Sequence, residues 1–343
     1  MPGITLPTPL EARWLRQLPD YLRDLAISPT VDLVAAADAA GTLTLLSLND
    51  GATAQQIQLS ELPVTALQWP RPQRLIAATE DGTLHLLDPT DGLRRVARIE
   101  TPGPWIEGLD TSKGSLAFCA GRRAWRYSLD GEKIWESPLH ESTLSGVAFL
   151  PDTSALATSC YGAMRIWSTE KSRDLLQELS WKGSLFQPHP SPDGTILACG
   201  CQDASVHFWR LTSNQDSEMS GYPSKPRCLS WAADSSLLAT SASQAILVWS
   251  FEDGPEGTSP YTLGLNARPI STLTFHPEIN LLLSGAEDGI LFVWDPLTEQ
   301  SPRAMASMFG EVSCVSWIPS TQCFVAGDSA GYLGAFGSSY DFG

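Results

Sequence analysis

One bulky residue position recurs eight times along the chain, each time near the end of a predicted strand. Its members follow one another at intervals of 40 to 45 residues: Leu46, Leu87, Tyr127, Trp167, Trp209, Trp249, Trp294 and Phe336. A small residue usually lies five positions earlier, as Gly41 and Gly289 do. A fixed period of about 40 residues indicates stacked copies of one unit and is typical of propeller blades.

Each repeat is predicted to contain four short strands, called a to d. Strand a alternates apolar and polar residues, as from Ala66 to Trp69, whereas strand b is a run of small and apolar residues, as from Leu33 to Ala37. Strand c holds the recurring position, and a polar loop leads to strand d. Runs like strand b suit burial on both faces. Short strands separated by Gly, Asp and Pro predict an all-β fold, an eight-bladed β-propeller of four-stranded antiparallel blades.

The eighth repeat, from Val312 to Phe336, ends before its strand d, while residues 11–18 form a spare strand-like segment. We expect this segment to be the outer strand of the last blade and to close the ring, because an open propeller would leave two unpaired edges. The predicted organisation is an N-terminal tail over 1–10, a single propeller domain over 11–338 and a C-terminal tail over 339–343.

The chain is acidic, with 38 Asp and Glu against 22 Lys and Arg and a net charge of −16. This balance argues against nucleic acid and anionic membranes as main ligands, since both require clustered basic residues. The sequence contains no secretory leader and no apolar run of about 18 residues. Its seven cysteines are odd in number and lack a disulfide framework spacing. We therefore expect a cytoplasmic location.

The sequence Phe292-Val293-Trp294-Asp295, preceded by the segment from Ser284 to Gly289, resembles the WD-repeat family. The resemblance is good in blades two, four, five and six, weak in one, three and eight, and extends over about residues 11–338. It implies a propeller that acts as an interaction scaffold. Blade three also resembles the tryptophan-docking repeat of quinoprotein-type propellers, from Tyr127 to Trp135.

Members of the WD-repeat family often contain a buried network of Trp, Ser or Thr, His and Asp in each blade. At the matching position this chain has an Asp only at Asp81, Asp203 and Asp288, and the Gly-His dipeptide that supplies the His is absent. We therefore expect an incomplete network and blades that depend more on apolar packing, since a partly satisfied polar network is a disadvantage.

The best candidates for partner binding are aromatic and basic residues in the d–a and b–c loops, which share one face of a propeller. They are Trp105, Arg122, Arg123, Tyr161, Trp181, Lys182, Tyr21 and Tyr222. Trp, Tyr and Arg are the residue types that dominate protein interfaces. We predict a protein or peptide partner that contacts blades three to five, in a monomer or a multiprotein complex. The alternative is that Trp105 and Trp181 pack inward beneath their loops.

No motif for catalysis, phosphate binding or calcium binding is present. We interpret the five histidines as structural: His85, His140, His189, His207 and His276. Cys119, Cys160 and Cys201 end strand b in three successive blades and could in principle hold a soft metal. Sheets pack about 10 Å apart, however, and zinc requires sulfur at about 2.3 Å. The sequence therefore predicts no metal and no cofactor.

The competing function is that of an enzyme, including a quinoprotein-like one, with its site in the axial funnel of the propeller. Such a site needs charged side chains converging from the innermost strands. Strands a are apolar in this sequence, and Asp110 is the one carboxylate identified within them. A non-enzymatic scaffold is therefore favoured.

Overall fold

The computed structural model of the chain describes residues 7–30, 32–103, 105–112, 114–170, 175–264, 266–298 and 301–337. The predicted C-terminal tail, 339–343, and the first six residues of the predicted N-terminal tail lie outside them. Every described element is a β-strand except one short 3-10 helix, Pro89–Asp91. The strands form eight sheets, each with four antiparallel strands and one with a fifth strand added at its edge, which confirms the predicted eight-bladed β-propeller.

The first half of the chain supplies two N-terminal strands and the first four blades. The N-terminal strands are β1 (Thr8–Pro9) and β2 (Ala12–Gln17). Blade one consists of β3 (Leu22–Ile27), β4 (Leu33–Asp38), β5 (Thr42–Ser47) and β6 (Thr53–Gln58). Blade two consists of β7 (Val64–Arg71), β8 (Arg74–Thr79), β9 (Thr83–Asp88) and β10 (Arg94–Glu100). Blade three consists of β11 (Gly108–Ser112), β12 (Ser115–Ala120), β13 (Arg123–Ser128) and β14 (Lys133–Glu136). Blade four consists of β15 (Gly146–Phe149), β16 (Leu156–Ser159), β17 (Tyr161–Trp167) and β18 (Leu175–Ser184).

The second half supplies the other four blades. Blade five consists of β19 (His189–Pro190), β20 (Ile196–Gly200), β21 (Val206–Arg210) and β22 (Gln215–Met219). Blade six consists of β23 (Cys228–Trp231), β24 (Leu237–Ala242), β25 (Ala245–Ser250) and β26 (Tyr261–Leu263). Blade seven contains β27 (Ile270–Phe275), β28 (Leu282–Ala286), β29 (Ile290–Trp294) and β30 (Ala304–Ser307). Blade eight contains β31 (Val312–Trp317), β32 (Phe324–Asp328) and β33 (Tyr332–Phe336).

The N-terminal strand β2 completes blade eight. It pairs antiparallel with β33, with Ala12 opposite Phe336 and Gln17 opposite Tyr332. This confirms the expected closure of the last blade by the first part of the chain. The preceding strand, β1, pairs parallel with β30, so that blade seven gains a fifth strand.

The recurring sequence position lies on strand c of every blade. Seven of its members are buried, and the eighth, Tyr127, is half-buried. The b strands are buried almost throughout, as β4 and β12 show. Apolar residues on both faces of these strands therefore pack against neighbouring sheets, which explains why their sequences do not alternate.

The chain divides into two compact units. The first consists of Met1–Ile27, Asp32–Glu61 and Pro226–Gly343 and contains blades one, six, seven and eight. Its apolar clusters lie between successive blades. One of them packs Trp14 and Leu333 of blade eight with Leu46 of blade one.

The second unit consists of Ser28–Val31 and Leu62–Lys225 and contains blades two to five. Its clusters also lie between neighbouring blades. Phe118 and Trp125 of blade three pack with Leu86 of blade two, and Trp135 packs with Trp167 of blade four. This packing supports the strands and loops of blades three and four that contain most of the candidate partner-binding residues.

Buried polar networks are more complete than the sequence predicted. In blade four, Trp167 Nε1 donates to Thr158 Oγ1 at 2.9 Å, and His140 Nε2 lies 3.1 Å from the same oxygen. In blade seven, Trp294 Nε1 donates to Ser284 Oγ at 2.9 Å. The absence of a Gly-His dipeptide did not exclude a histidine from the network of blade four, because His140 reaches it from the d–a loop without a preceding glycine.

Candidate functional site

Trp105 belongs to the segment that joins β10 of blade two to β11 of blade three. Its side chain is 56 % exposed, the highest value among the tryptophans of the described ranges. The alternative that this indole packs inward is therefore not what the structure shows. A large exposed indole adds apolar contact area to a surface and is of the kind that binds proteins.

Arg122 lies in the tight turn between β12 and β13, and Arg123 is the first residue of β13. Arg122 Nε donates to the His140 carbonyl at 2.6 Å. Arg123 Nη1 donates to Glu136 Oε1 at 2.7 Å and to the Ser137 carbonyl at 3.1 Å. Both arginines are thus held by the outer strand of blade three and the loop that follows it. This fixes the position of two guanidinium groups at the edge of the blade.

Glu136 is the centre of a small ion-pair cluster. Its carboxylate accepts from Lys133 Nζ at 3.1 Å as well as from Arg123. The hydrogen bond from Lys133 is the main factor that lowers the pKa of Glu136. Since the cluster is partly exposed, its ion pairs contribute little to stability. Their main effect is to hold the side chains of Arg123 and Lys133 in place at the edge of blade three.

A cavity of about 500 Å³ lies between the end of β10 and the outer strands of blade three. Arg122 and Arg123 both line it, whereas the other predicted partner-binding residues do not. Phe118, Trp125 and Tyr127 form its aromatic wall. No local sequence pattern indicates this cavity, because it depends on how the ends of two blades meet.

Tyr161 begins β17 and is 65 % exposed. It lies opposite Ser184 of β18, and its backbone N–H donates to Ser142 Oγ at 3.1 Å. Tyr161 therefore presents its ring to solvent from a fixed backbone. It is the second exposed aromatic residue of the predicted surface.

Trp181 and Lys182 lie within β18, the outer strand of blade four, and not in a loop as the sequence predicted. Trp181 is half-buried and stacks on His207 with 3.7 Å between the ring centroids. Lys182 Nζ lies 5.3 Å from the Trp181 ring. The prediction of a loop was wrong because two β-bulges in this hairpin lengthen β18 beyond the usual strand.

The two remaining candidates, Tyr21 and Tyr222, are less exposed than Trp105 and Tyr161. Tyr222 is only 6 % exposed, so its ring offers little surface to a partner. Tyr21 is half-buried beneath Arg23, whose guanidinium carbon lies 5.6 Å from the ring centroid. Tyr21 belongs to the first unit, whereas the other seven candidates belong to the second.

Among the histidines of these blades, His85, His140 and His207 are buried and His189 is half-buried. Burial lowers the pKa of His140 to about 4, although hydrogen bonding to the Arg122 backbone opposes the shift. Burial likewise lowers the pKa of His85, His189 and His207 to about 4. Neutral imidazoles at these sites fit the interpretation that they hold the blades together.

All seven cysteines are free thiols. Cys119, Cys160 and Cys201 are buried, and burial raises the pKa of Cys119. In the part of the chain that the structure describes, no group of three or more His, Cys, Asp or Glu side chains is placed to hold a metal ion. Within the same residues, no helix is long and apolar enough to cross a membrane.

Asp110, the carboxylate considered for an axial site, lies on β11. Its Oδ2 accepts from the Phe149 N–H at 2.7 Å, and its Oδ1 accepts from the Thr111 N–H at 2.8 Å. Burial raises the pKa of Asp110 in spite of these bonds. Asp110 thus joins strands a of blades three and four. Asp24 is a second carboxylate on a strand a, which the sequence did not indicate because β3 begins earlier than predicted.

Comparisons with known proteins support the repeat assignment. The family model "WD domain, G-beta repeat" matches residues 186–210 and 257–295. The chain is 36 % identical over 108 residues to transcription initiation factor TFIID subunit 5 of Drosophila melanogaster, covering 32 % of this chain and 14 % of that protein. It is 25 % identical over 199 residues to protein hir1 of Aspergillus terreus, covering 52 % and 19 %. The chain thus spans less than a fifth of the length of either relative.

The crystal structure of Saccharomyces cerevisiae Sqt1 superposes on this chain with a TM-score of 0.82 at 14 % identity, covering 96 % of this chain and 99 % of Sqt1. At that identity the likeness concerns the fold alone. Together with the four-stranded blades and the motif around Trp294, these matches support a WD-repeat β-propeller.

Proposed function

We propose that the chain is a non-enzymatic scaffold that binds a protein partner through blades three and four. The binding surface consists of Trp105, Arg122, Arg123, Tyr161, Trp181 and Lys182. The observation that supports it most directly is the exposure of Trp105 and Tyr161, at 56 % and 65 %. Large aromatic side chains dominate the energetics of protein interfaces.

The basic residues of the surface support the same function. Arg122 and Arg123 are fixed by hydrogen bonds to the blade, so little side-chain entropy is lost when they contact a partner. Trp181 contributes a half-buried ring that is already stacked on His207. A rigid surface of aromatic and basic side chains favours a preformed interface over one that must reorganise.

The relatives agree with a scaffold. One is named as a subunit of a transcription initiation factor, that is, as a component of a multiprotein assembly. We extend this to the present chain only as membership of a multiprotein complex. The seven free thiols are consistent with a reducing compartment, and we propose a cytoplasmic location.

The test is affinity capture with the wild-type chain and with the double variant Trp105→Ala/Tyr161→Ala. We expect the variant to lose a partner that the wild type retains at equal loading, while its melting temperature stays the same. The matched control is Tyr261→Ala/Leu297→Ala, which removes two exposed apolar side chains from the first unit. Retention of every partner by the Trp105→Ala/Tyr161→Ala variant would contradict the proposal.

A further inference from the structure

We propose that the cavity beside blade three binds an acidic peptide segment, which inserts one large apolar side chain and places a carboxylate against Arg122. This inference rests on the scaffold function proposed above and assigns the chemistry of the partner at one part of that surface. The cavity volume of about 500 Å³ lies within the range of roughly 300–1,000 Å³ of ligand pockets.

The apolar half of the cavity is aromatic and rigid. Phe118 stacks on Trp125 with 5.2 Å between the centroids and lies 5.6 Å from Tyr127. Tyr127 is half-buried, so part of its ring faces the cavity that it lines. Leu139 lies at the rim and is 57 % exposed. Phe118 and Trp125 are themselves buried, so an inserted aromatic or aliphatic side chain would cover Tyr127 and Leu139 from water.

Small residues keep the cavity open. Gly103, Ala120 and Gly121 are part of its lining. A Cβ atom added at Gly103 or at Gly121 would meet no other heavy atom within 4 Å. The space beside Gly103 is therefore free for a guest side chain, and a larger residue at this position could occupy it without displacing the backbone.

The charges of the lining leave one cation available for a ligand. Glu136 is bound by Arg123 and Lys133, and Glu100 pairs with Arg98 at 3.2 Å. Arg122 bonds the His140 carbonyl through Nε alone. Among the described residues, its two terminal nitrogens have no partner. A guanidinium with free terminal nitrogens matches the geometry of a carboxylate.

The charge of the whole chain makes this site selective. With a net charge of −16, most of the surface repels an acidic peptide. Arg122, Arg123 and Lys133 outnumber Glu100 and Glu136 in the lining of the cavity. An acidic ligand is thus favoured locally and disfavoured elsewhere. A basic peptide would instead be attracted to many positions without preference for this one.

The experiment measures fluorescence anisotropy of short fluorescein-labelled peptides with a central Trp flanked by Asp and Glu. We expect saturable binding to the wild type. Arg122→Glu should weaken it at least about tenfold, because a charge-assisted hydrogen bond is lost and a repulsion added. Gly103→Leu should weaken it similarly by filling the cavity. Lys225→Glu makes the same change of charge at an exposed lysine of the second unit, outside both the cavity and the proposed surface, and should change affinity less than about twofold.

Peptide variants test the two halves separately. Replacing the central Trp by Ala, or the acids by Lys, should abolish saturable binding, and amidating the C-terminus should not. Failure of the acidic peptide to bind, or equal binding to wild type, Arg122→Glu and Gly103→Leu, would overturn the inference. If partner capture is still lost in Trp105→Ala/Tyr161→Ala, only this inference fails. If the Trp105→Ala/Tyr161→Ala variant also retains every partner, the proposed scaffold surface is wrong as well.

Discussion

The indole nitrogen of Trp14 donates a hydrogen bond of 2.7 Å to the backbone carbonyl of Leu48. Trp14 belongs to β2, the strand that completes blade eight, and Leu48 follows β5 of blade one. Gly51 lies against the same indole, and a Cβ added there would approach it to 2.7 Å. The strand that completes the last blade is therefore also bonded to the first blade.

Replacing Trp14 by Ala should destabilise the protein strongly. The side chain is 5 % exposed and packs in the cluster between blades eight and one. We expect a loss of about 3–5 kcal/mol, the usual cost of truncating a buried Trp. Urea denaturation followed by circular dichroism measures this. Trp105→Ala is the matched control, since that indole is exposed, and an equal loss in both variants would contradict the role of Trp14.

Asp328 is a second buried contact between blades. Its Oδ2 accepts from the N–H groups of Phe309 and Gly310 at 3.0 and 2.9 Å. Its Oδ1 accepts from Ala330 and Tyr332 at 2.9 and 2.8 Å. Four backbone donors thus depend on one carboxylate.

The variant Asp328→Asn keeps the shape of the side chain but turns one acceptor into a donor. We expect a loss of about 2 kcal/mol or more, since buried N–H groups lose their acceptor. Thermal denaturation measures it. The control is Asp91→Asn, whose carboxylate is exposed and pairs with Arg94 at the surface. Unchanged melting of Asp328→Asn would show that these N–H groups find other acceptors.

Thr158 links the indole of Trp167 to the imidazole of His140. The change Thr158→Val removes the shared hydroxyl and keeps the volume, which leaves two buried ring nitrogens without their partner. We expect a loss of about 1–3 kcal/mol. A suitable control is Thr65→Val, whose hydroxyl makes a longer bond of 3.3 Å to the Ala78 carbonyl. Equal unfolding midpoints for the wild type and Thr158→Val would contradict the network.

Mild acidification should destabilise the chain through its histidines. Burial lowers the pKa of His140 to about 4 in the folded protein, against an ordinary value of 6.5. The neutral form is therefore favoured by folding. This stability is present above pH 6.5 and is lost as the pH falls from 6.5 towards 4. The pKa values of His85, His189 and His207 are lowered as well, so these residues also make the folded protein less stable as the pH falls.

We expect the melting temperature to decrease steadily between about pH 6.5 and 5. The variant His140→Gln retains hydrogen-bonding capacity but does not titrate in this range. Its melting temperature should be lower at about pH 7 and should decrease less on acidification to about pH 5 than that of the wild type. Identical decreases in both proteins would show that His140 is not one of the responsible groups.

The repeat and the closure could be predicted from sequence because each depends on local patterns. The recurring position, whose first member is Leu46 and last member Phe336, marks strand c in all eight blades. It is recognisable because a bulky residue must fill the same place between neighbouring sheets in each blade. The strand Ala12–Gln17 was recognisable because blade eight lacked an outer strand. The length of the repeat and the number of strands in each copy were sufficient to predict both the eight blades and the closure of the last one.

The surface could be predicted only in part. Trp105, for which the sequence left both exposure and inward packing open, is exposed, as is Tyr161, whereas Tyr222 is buried and Trp181 lies on an outer strand. Exposure depends on which neighbouring loop covers a ring, and that relation is not local in sequence. The role of His140 depends likewise on Thr158 and Trp167, which the chain reaches only in the next blade.

The pairing of Ala12–Gln17 with Tyr332–Phe336 also constrains synthesis of the chain on the ribosome. The strand Ala12–Gln17 is synthesised long before Tyr332–Phe336, the strand with which it pairs. At roughly 5–20 residues per second, it waits on the order of tens of seconds before that partner exists. During this interval its edge is bare, so nascent chains that stall late in translation are the species most prone to misassociate.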